Sequence, residues 1–219
     1  MTISALIFDF DGTILDTETP EFESWCGEFA THGATLTLDW WSGCIGTAGP
    51  AFDPYDHLEK CIGRPVDRSA VRARRRAQYM ALIERERPRP GVLPWIAAAR
   101  DAGLSLAVAS TAGRHWVHGH LDRLELRRSF DHTACGDEVE RVKPAPDLYR
   151  LALQRLGKEP GQAIAIEDSP NGVAAAKAAG LFCIAVSNPL TAPLDLSAAD
   201  LRLSSLADLP LAEVLRTVT

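Results

Sequence analysis

The chain has 219 residues, of which 46% are hydrophobic and 24% charged, as in ordinary globular proteins. Its formal net charge of -6 argues against a nucleic-acid binder or a protein that binds anionic membranes, since both favour a basic face. No secretory signal is expected in the first ten residues, and no apolar run is long enough to span a bilayer.

Apolar runs that end in small or polar residues predict the strands. The clearest runs cover residues 4–10, 104–110, 162–167 and 182–186, and a shorter strand is predicted at 132–135. Their apolarity is continuous rather than alternating, which is typical of strands buried on both faces of a parallel sheet.

Helices are predicted between these strands, at residues 93–102, 146–156 and 170–179. Each is followed by a glycine, the residue that most often ends a helix. Alternating strands and helices predict an α/β fold with a Rossmann-like, doubly wound parallel sheet. Ligands of such sheets bind beyond the carboxyl ends of the strands, where Asp9, Ser110, Glu167 and Asp168 are expected.

A long segment separates the first two strands, and it reads as helical at residues 21–31 and 67–86. It is far longer than an ordinary strand connection. We therefore predict a helical cap over residues 17–89, inserted into a core formed by residues 1–16 and 90–219. The proline-rich exit at 87–91 is expected to act as a hinge, and the glycine-rich loop at 43–53 is expected to carry substrate specificity.

Carboxylates follow the first strand and end the one at 162–167. Asp9 and Asp11 are two residues apart, so a strand would point both to one side, and Gly12 would let backbone amides approach an anion. Such carboxylates would repel each other without a cation, and Glu167 and Asp168 could complete its site. Oxygen ligands suit Mg²⁺. The five cysteines are scattered without a C-x-x-C pair, so we expect no zinc site or disulfide framework, and a cytoplasmic location.

Four motifs resemble those of the haloacid dehalogenase-like superfamily, in the order DFDGTILDTE, VAST, VKPAPDLY and IEDSPNG. The resemblance is strongest to subfamily IA, the phosphatase and β-phosphoglucomutase-like group, in which a helical cap follows the first strand. It covers nearly the whole chain. It implies a phosphatase of small phosphorylated metabolites, whereas the haloacid dehalogenases lack the second aspartate, here Asp11.

By position in these motifs, Asp9 is the expected nucleophile that becomes an aspartyl phosphate. Asp11 is the expected acid for the leaving alcohol and the base for the hydrolytic water. Magnesium is expected at the Asp9 carboxylate, the Asp11 carbonyl and Asp168, with Glu167 as a neighbour that either orients these groups or binds the metal.

The resemblance also implies a phosphate-binding set. Lys143 would supply positive charge to the phosphoryl oxygens, and Ser110 and Thr111 would supply hydroxyl and backbone donors. The implied partner is therefore a small phosphorylated metabolite, with no nucleic acid and no membrane. The sequence leaves the oligomeric state open.

Two other functions stay open at the level of sequence. One is a phosphosugar mutase, and the other is a regulatory protein that keeps the fold without turnover. The mutases in question carry a histidine in the first cap helix, where this chain has Glu21, and a lysine after the second motif, where it has Gly113. The loop 46–49 also lacks their arginine, so hydrolysis is the expected reaction.

Three further features are expected to be structural. The arginines between residues 72 and 76 fit the solvated face of a cap helix better than a substrate site. His115, His118 and His120 lack the arrangement of a metal site. Trp40 and Trp41 fit core packing at least as well as a pocket lining.

Overall fold

The computed structural model describes residues 2–42 and 53–218, and a parallel sheet lies at its centre. Its strands are β1 Ala5–Phe8, β2 Ser105–Ser110, β3 His132–Cys135, β4 Ala163–Glu167, β5 Phe182–Val186 and β6 Leu201–Leu203. They lie in the order β3-β2-β1-β4-β5-β6, and every neighbouring pair is parallel. The predicted fold class is confirmed.

The helices cover both faces of this sheet and form a separate group between β1 and β2. They are α1 Glu18–Thr31, α2 Leu38–Ser42, α3 Pro54–Ile62, α4 Arg68–Ile83, α5 Val92–Asp101, α6 Arg114–Arg123, α7 Asp147–Leu156, α8 Pro170–Ala178 and α9 Leu211–Val218. None of the helices in the described ranges has the length and apolarity needed to cross a bilayer.

Strand β1 shows why the apolar runs are continuous. Leu6 and Phe8 pack on one face with residues of α5, α6 and α9. Ala5 and Ile7 pack on the other face with residues of α7 and α8. All four are fully buried, and each large side chain contributes about 1.5–3 kcal/mol relative to exposure. The sheet that carries the site is therefore anchored on both faces.

Helices α1 to α4 pack around a second cluster, which includes Trp25, Phe29 and Trp41 and also Leu190, which follows β5. Two of the arginines expected on a solvated face pair with glutamates of α1: Arg75 with Glu21 at 2.6 Å, and Arg74 with Glu28 at 2.5 Å. The prediction was wrong for Arg75, which is half-buried because α4 packs directly against α1. Arg72, Arg74 and Arg76 are exposed, as expected.

The two connections between this helical group and the sheet lie side by side. Leu15 on the way in forms an antiparallel bridge with Pro88 on the way out, and the Arg89 amide donates to the Ile14 carbonyl at 2.9 Å. Two short extended segments therefore join the parts, as a hinge requires.

The first strand is shorter than predicted. It ends at Phe8, so Asp9 and Asp11 follow the strand and do not share its pleat, as the sequence argument had assumed. The chain turns at Gly12, which has a φ of 81° and donates to the Leu15 carbonyl at 2.7 Å. Asp9 therefore lies between the strand and this turn, and Asp11 lies immediately before Gly12.

Candidate active site

Polar side chains from three adjacent strands meet at the carboxyl edge of the sheet. Asp9 follows β1, Ser110 ends β2, and Glu167 ends β4 with Asp168 next to it. Because β1 lies between β2 and β4, these groups face one crevice. The predicted convergence on one edge is therefore present.

Lys143 is at the centre of this crevice. Its ammonium group donates to Oδ1 of Asp9 and, at 2.6 Å, to Oε1 of Glu167. The side chain of Lys143 is only 5% exposed, although lysine is almost never buried without a partner. Burial alone would lower its pKa, but the charges of Asp9 and Glu167 outweigh burial and raise it, so the ammonium stays charged.

Glu167 is fully buried, and both of its carboxylate oxygens accept hydrogen bonds. Its Oε1 also accepts the hydroxyl of Tyr149 at 2.6 Å, and its Oε2 accepts the Asp168 amide at 3.2 Å. Gly172 in α8 approaches so closely that a Cβ there would overlap the carboxylate. This packing fixes the position of the glutamate and, through it, of Lys143.

The carboxylates carry more negative charge than Lys143 can neutralise. Burial raises the pKa of Asp9 well above its ordinary value of 3.8; the Lys143 charge opposes this shift, and the charges of Glu167 and Asp11 add to it. Burial also raises the pKa of Asp168, with further contributions from Asp9 and Glu167. A crevice of this kind attracts a further cation.

Three of the carboxylates are arranged to hold that cation. Oxygens of Asp9, Glu167 and Asp168 all lie within 4.8 Å of one another, and an all-oxygen set suits Mg²⁺. The Asp11 carboxylate is not part of this group. Another group within the described residues, Cys135, Asp137 and Glu138, contains a thiol and a glutamate paired with Arg155 and Arg114. The residues of the first group fit the predicted metal better.

Asp11 has different surroundings from Asp9. Its Oδ1 accepts the indole N–H of Trp116 at 2.8 Å, and its Oδ2 accepts the Ser110 hydroxyl at 3.2 Å. Burial raises the pKa of Asp11, while hydrogen bonds from Trp116, Ser110 and Thr17 oppose the shift. Neutral donors rather than an ammonium contact this carboxylate, which is suited to exchanging a proton.

Ser110 and Thr111 differ in their exposure to solvent. Ser110 is buried, and besides donating to Asp11 its hydroxyl accepts the Ala112 amide at 3.0 Å. Thr111 is exposed, and its carbonyl is so close to Gly136 that a Cβ there would overlap it. Ser110 ends β2 next to Asp11 and Thr111 follows it, and their role in phosphate binding stays a prediction.

Sequence reasoning missed several residues that support the site. Asn188 follows β5 and donates from Nδ2 to Oδ2 of Asp168 at 2.8 Å. Arg89 donates to the Gly12 carbonyl and, at 2.7 Å, to the Ser187 carbonyl. The proline-rich exit was interpreted only as a hinge, and Asn188, two residues beyond the predicted strand 182–186, was given no role. Polar residues just after a predicted strand were the available signal for Asn188.

A cavity of about 350 Å³ opens beside Asp11. It lies between the cap helices and the core, and its lining consists of Asp11, Thr17, Glu18, Glu21, Tyr79, Ala112 and Trp116. Burial raises the pKa of Glu18 to about 7, and the charges of Asp11, Glu21 and Asp16 add to this. The cavity has room for a small leaving group beside the proposed acid.

The histidines and tryptophans discussed from the sequence make structural contacts. His118 bonds Thr133 at 2.9 Å, while His120 packs edge-on against Trp116. Trp41 is buried in the helical cluster of α1 to α4, and Trp40 stacks on His57. The loop 43–52, expected to carry specificity, lies outside the described residues.

Comparisons with known proteins show which proteins this chain resembles. The family model for haloacid dehalogenase-like hydrolases matches residues 3–180. YhcW of Bacillus subtilis (strain 168), a candidate phosphatase, is 44% identical over 97% of this chain and 96% of its own. A HAD family hydrolase from Deinococcus radiodurans R1, solved with bound phosphate and sodium, matches with a TM-score of 0.82 and 27% identity over 99% of this chain and 97% of its own.

A candidate β-phosphoglucomutase from Thermotoga maritima has a similar structure. It matches with a TM-score of 0.80 and 27% identity, over 99% of this chain and 100% of its own. Hydrolases and a mutase candidate therefore share this architecture, and overall likeness does not separate the two reactions.

Proposed function

This chain belongs to the haloacid dehalogenase-like hydrolase family, and we propose that it is a phosphatase that hydrolyses a small phosphorylated metabolite through an aspartyl phosphate. One observation carries the proposal. The two aspartates that flank Phe10 have different environments: Asp9 accepts a hydrogen bond from the Lys143 ammonium, whereas Asp11 accepts hydrogen bonds from the neutral Trp116 and Ser110. Groups with such different surroundings are suited to different roles.

In the first half-reaction an oxygen of Asp9 attacks phosphorus, and the bond from phosphorus to the leaving oxygen breaks. Asp11 gives its proton to that oxygen, so the product leaves as an alcohol. In the second half-reaction Asp11 takes a proton from water as the water oxygen attacks phosphorus. Inorganic phosphate is released, and Asp9 is restored.

Lys143 and Ser110 support both steps by neutralising and binding the phosphoryl oxygens. Asp9, Asp168 and the Asp11 carbonyl would hold Mg²⁺, with Glu167 next to them. Bound there, the ion supplies positive charge to the phosphoryl group and reduces the repulsion between it and the carboxylates. The buried Glu167 keeps Lys143 in place.

The helical segment 17–89 is proposed to act as the cap that closes over the crevice, joined to the core of residues 1–16 and 90–219. The paired connections at Leu15 and Pro88 support this division. Closure would exclude bulk water from the crevice except at the reacting centre, where the hydrolytic water attacks, and would bring the cavity lining against the substrate.

The cavity favours a particular leaving group. Its described lining includes the carboxylates of Glu18 and Glu21 besides that of Asp11, and no lysine, arginine or histidine. Residues 43–52 contain none of these cationic residues either. Glu21 is paired with Arg75, whereas Glu18 forms no ion pair within the described residues. We therefore propose a hydroxylated monophosphate, such as a sugar phosphate, over a bisphosphate or a phosphorylated acid. The absence of a cation for a second phosphate also supports hydrolysis over mutase chemistry.

Trapping the intermediate tests the proposal. Wild-type protein is mixed with p-nitrophenyl phosphate and magnesium, quenched in acid and digested for mass spectrometry. The peptide containing Asp9 should gain one phosphoryl group. Asp9→Asn should abolish this gain, and Asp11→Asn should retain more of it, because nitrophenolate needs little protonation to leave. Asp101→Asn, at an exposed position in α5, is the matched control.

A phosphoryl group on another peptide, or unchanged turnover in Asp9→Asn, would reject the nucleophile. The mutase alternative has its own test: β-glucose 1-phosphate is supplied with a trace of glucose 1,6-bisphosphate. Glucose 6-phosphate forming faster than inorganic phosphate would reject hydrolysis as the main reaction.

A further inference from the structure

We propose that Trp116 is a positioning residue for Asp11, and that Tyr79 in the cap helix α4 holds Trp116 in that position. This inference rests on the proposed function, which makes Asp11 the acid and base. The indole N–H of Trp116 donates to Oδ1 of Asp11 at 2.8 Å, across 105 residues of sequence. Both side chains line the same cavity, so the leaving group would lie next to this contact.

The indole fixes the direction of its hydrogen bond to Asp11, whereas a hydroxyl could either donate or accept. An indole N–H only donates, so Oδ1 of Asp11 can act only as the acceptor in this contact. A proton carried by Asp11 is therefore directed to Oδ2, which lies 3.2 Å from the Ser110 hydroxyl. That is the side of the phosphoryl-binding residue. Trp116 thus selects the oxygen that exchanges the proton and stops the carboxylate from rotating.

Ser110 cannot supply this restraint throughout the reaction. Its hydroxyl is proposed to bind the phosphoryl group, and it already accepts the Ala112 amide. When Ser110 turns to the phosphoryl group, the Trp116 contact still holds Asp11. Thr17 also bonds Asp11, but the contribution of the indole to lowering the pKa of Asp11 is the largest of the three donors, and the indole has no proposed role in binding the phosphoryl group.

Aromatic contacts hold the indole in turn. The Tyr79 ring stacks on Trp116 with 5.9 Å between centroids and 11° between planes. On the core side, His120 packs edge-on against Trp116 at 4.2 Å and stacks on Phe10, the residue between the two aspartates. Tyr79 belongs to α4 and Trp116 to α6, so the position of the cap bears directly on the orientation of Asp11.

The first test uses Trp116→Phe, which keeps an aromatic ring and removes the N–H. The value of kcat/KM is measured with magnesium for p-nitrophenyl phosphate and for glucose 6-phosphate, whose alkoxide must be protonated as it leaves. The ratio of glucose 6-phosphate to p-nitrophenyl phosphate should fall at least ~10-fold, because general acid catalysis contributes about 10²–10⁴-fold and acts mainly on the poor leaving group. Trp25→Phe, in the cap cluster, is the matched control and should leave this ratio unchanged.

The second test addresses Tyr79. Tyr79→Phe keeps the stacked ring and should preserve the ratio, whereas Tyr79→Ala should lower it. In the Trp116→Phe background, Tyr79→Ala should cause no further fall in the ratio, because Tyr79 acts through Trp116. Equal losses on both substrates, or an unchanged ratio in Trp116→Phe, would overturn the positioning role.

A spectroscopic measurement detects the contact without turnover. In ¹⁵N-labelled protein, the indole signal that disappears in Trp116→Phe is that of Trp116, and it should shift in Asp11→Ala and in Tyr79→Ala. No shift in Asp11→Ala would overturn the hydrogen bond. If the wild type released no phosphate from either substrate, the proposed function would fail and the catalytic part of this inference with it, while the indole shift would still report the contact.

Discussion

The ammonium of Lys143 lies 2.6 Å from Oε1 of Glu167, and the Tyr149 hydroxyl donates to the same oxygen at the same distance. Tyr149 thus holds Glu167, and Glu167 holds the Lys143 ammonium next to Asp9. A flexible side chain is thereby set in place before a phosphoryl group arrives, which removes an entropic cost from catalysis.

Lys143→Met should therefore impair activity more than it changes substrate choice. Methionine has similar length and no charge, so the phosphoryl oxygens lose a donor. Loss of one such donor lowers kcat/KM by about 10²–10³-fold. Lys177→Met is the control, because Lys177 pairs with Asp200 in a partly exposed bridge away from the crevice. The check is kcat/KM on p-nitrophenyl phosphate, and near wild-type values in Lys143→Met would contradict the assignment.

Much of the site was predictable because its residues follow strands. Asp9, Ser110 and Glu167 end or follow buried apolar runs, and parallel strands bring such positions to one edge. Trp116 was not predictable in this way, because it contacts Asp11 across 105 positions and no local pattern marks such a contact. The place of Asn188 just after a strand was a signal, but its partner Asp168, 20 positions away, was not marked by any local pattern.

The fold shows the same division. Strands β1 to β5 were predicted from their continuous apolar runs, and the predicted ends differ from the observed ones by at most two residues. Helix α6, RHWVHGHLDR, was missed because only Val117, His120 and Leu121 are buried and Gly119 interrupts it. Helix α1 begins at Glu18, ahead of the predicted start at residue 21, because Pro20 is tolerated in a first helical turn.

Activity should depend on magnesium bound at the group of Asp9, Glu167 and Asp168. EDTA should abolish phosphate release, and Ca²⁺ should restore little of it, because its larger and looser coordination would misplace the nucleophile. Asp168→Asn should raise the magnesium concentration for half-maximal activity at least ~10-fold, the effect expected even for loss of an outer partner of a metal site. The measurement is a magnesium titration of the initial rate.

Asp137→Asn is the matched control for that titration. Asp137 belongs to the other acidic group, with Cys135 and Glu138, and is exposed. It should leave the magnesium requirement unchanged. If Asp137→Asn raised the magnesium concentration for half-maximal activity more than Asp168→Asn does, the metal site would be assigned to the second group. Full turnover in EDTA would show that the reaction needs no metal.

Glu138 should make stability depend on pH in the acid range. Hydrogen bonds from Arg155 lower the pKa of Glu138 from 4.5 to about 2 in the folded state. The folded state therefore binds fewer protons than the unfolded chain between these values. The resulting stabilisation is complete above about pH 4.5 and is lost as the pH falls toward 2, amounting to about 2 kcal/mol once the partial exposure of Arg155 is allowed for.

Glu138→Gln should consequently lower the free energy of unfolding more at pH 7 than at pH 3. Urea unfolding at the two pH values measures the difference. Glu140→Gln, at an exposed position nearby, should show no such pH-dependent loss. Equal destabilisation of Glu138→Gln at both pH values would mean that packing, rather than charge, is what the substitution removes.

Two helical glycines, Gly172 and Gly119, differ in the space around them. A Cβ at Gly172 in α8 would overlap the carboxylate of Glu167, whereas a Cβ at Gly119 in α6 meets no atom within 4 Å. The same substitution should then have opposite effects. Gly119→Ala should stabilise the protein by about 0.5–1 kcal/mol, because alanine is the better helix former and restricts the unfolded chain. Gly172→Ala should destabilise it by about 1–3 kcal/mol, the cost of overpacking a filled interior.

Activity separates the two variants further. Displacing Glu167 would move Lys143, which bonds it at 2.6 Å, so Gly172→Ala should also lower kcat on p-nitrophenyl phosphate at temperatures where it remains folded. Gly119→Ala should keep wild-type kcat. Thermal unfolding and initial rates measured on both proteins check these outcomes together. A stable, fully active Gly172→Ala would show that Glu167 can shift without consequence, and that the lysine is not positioned through it.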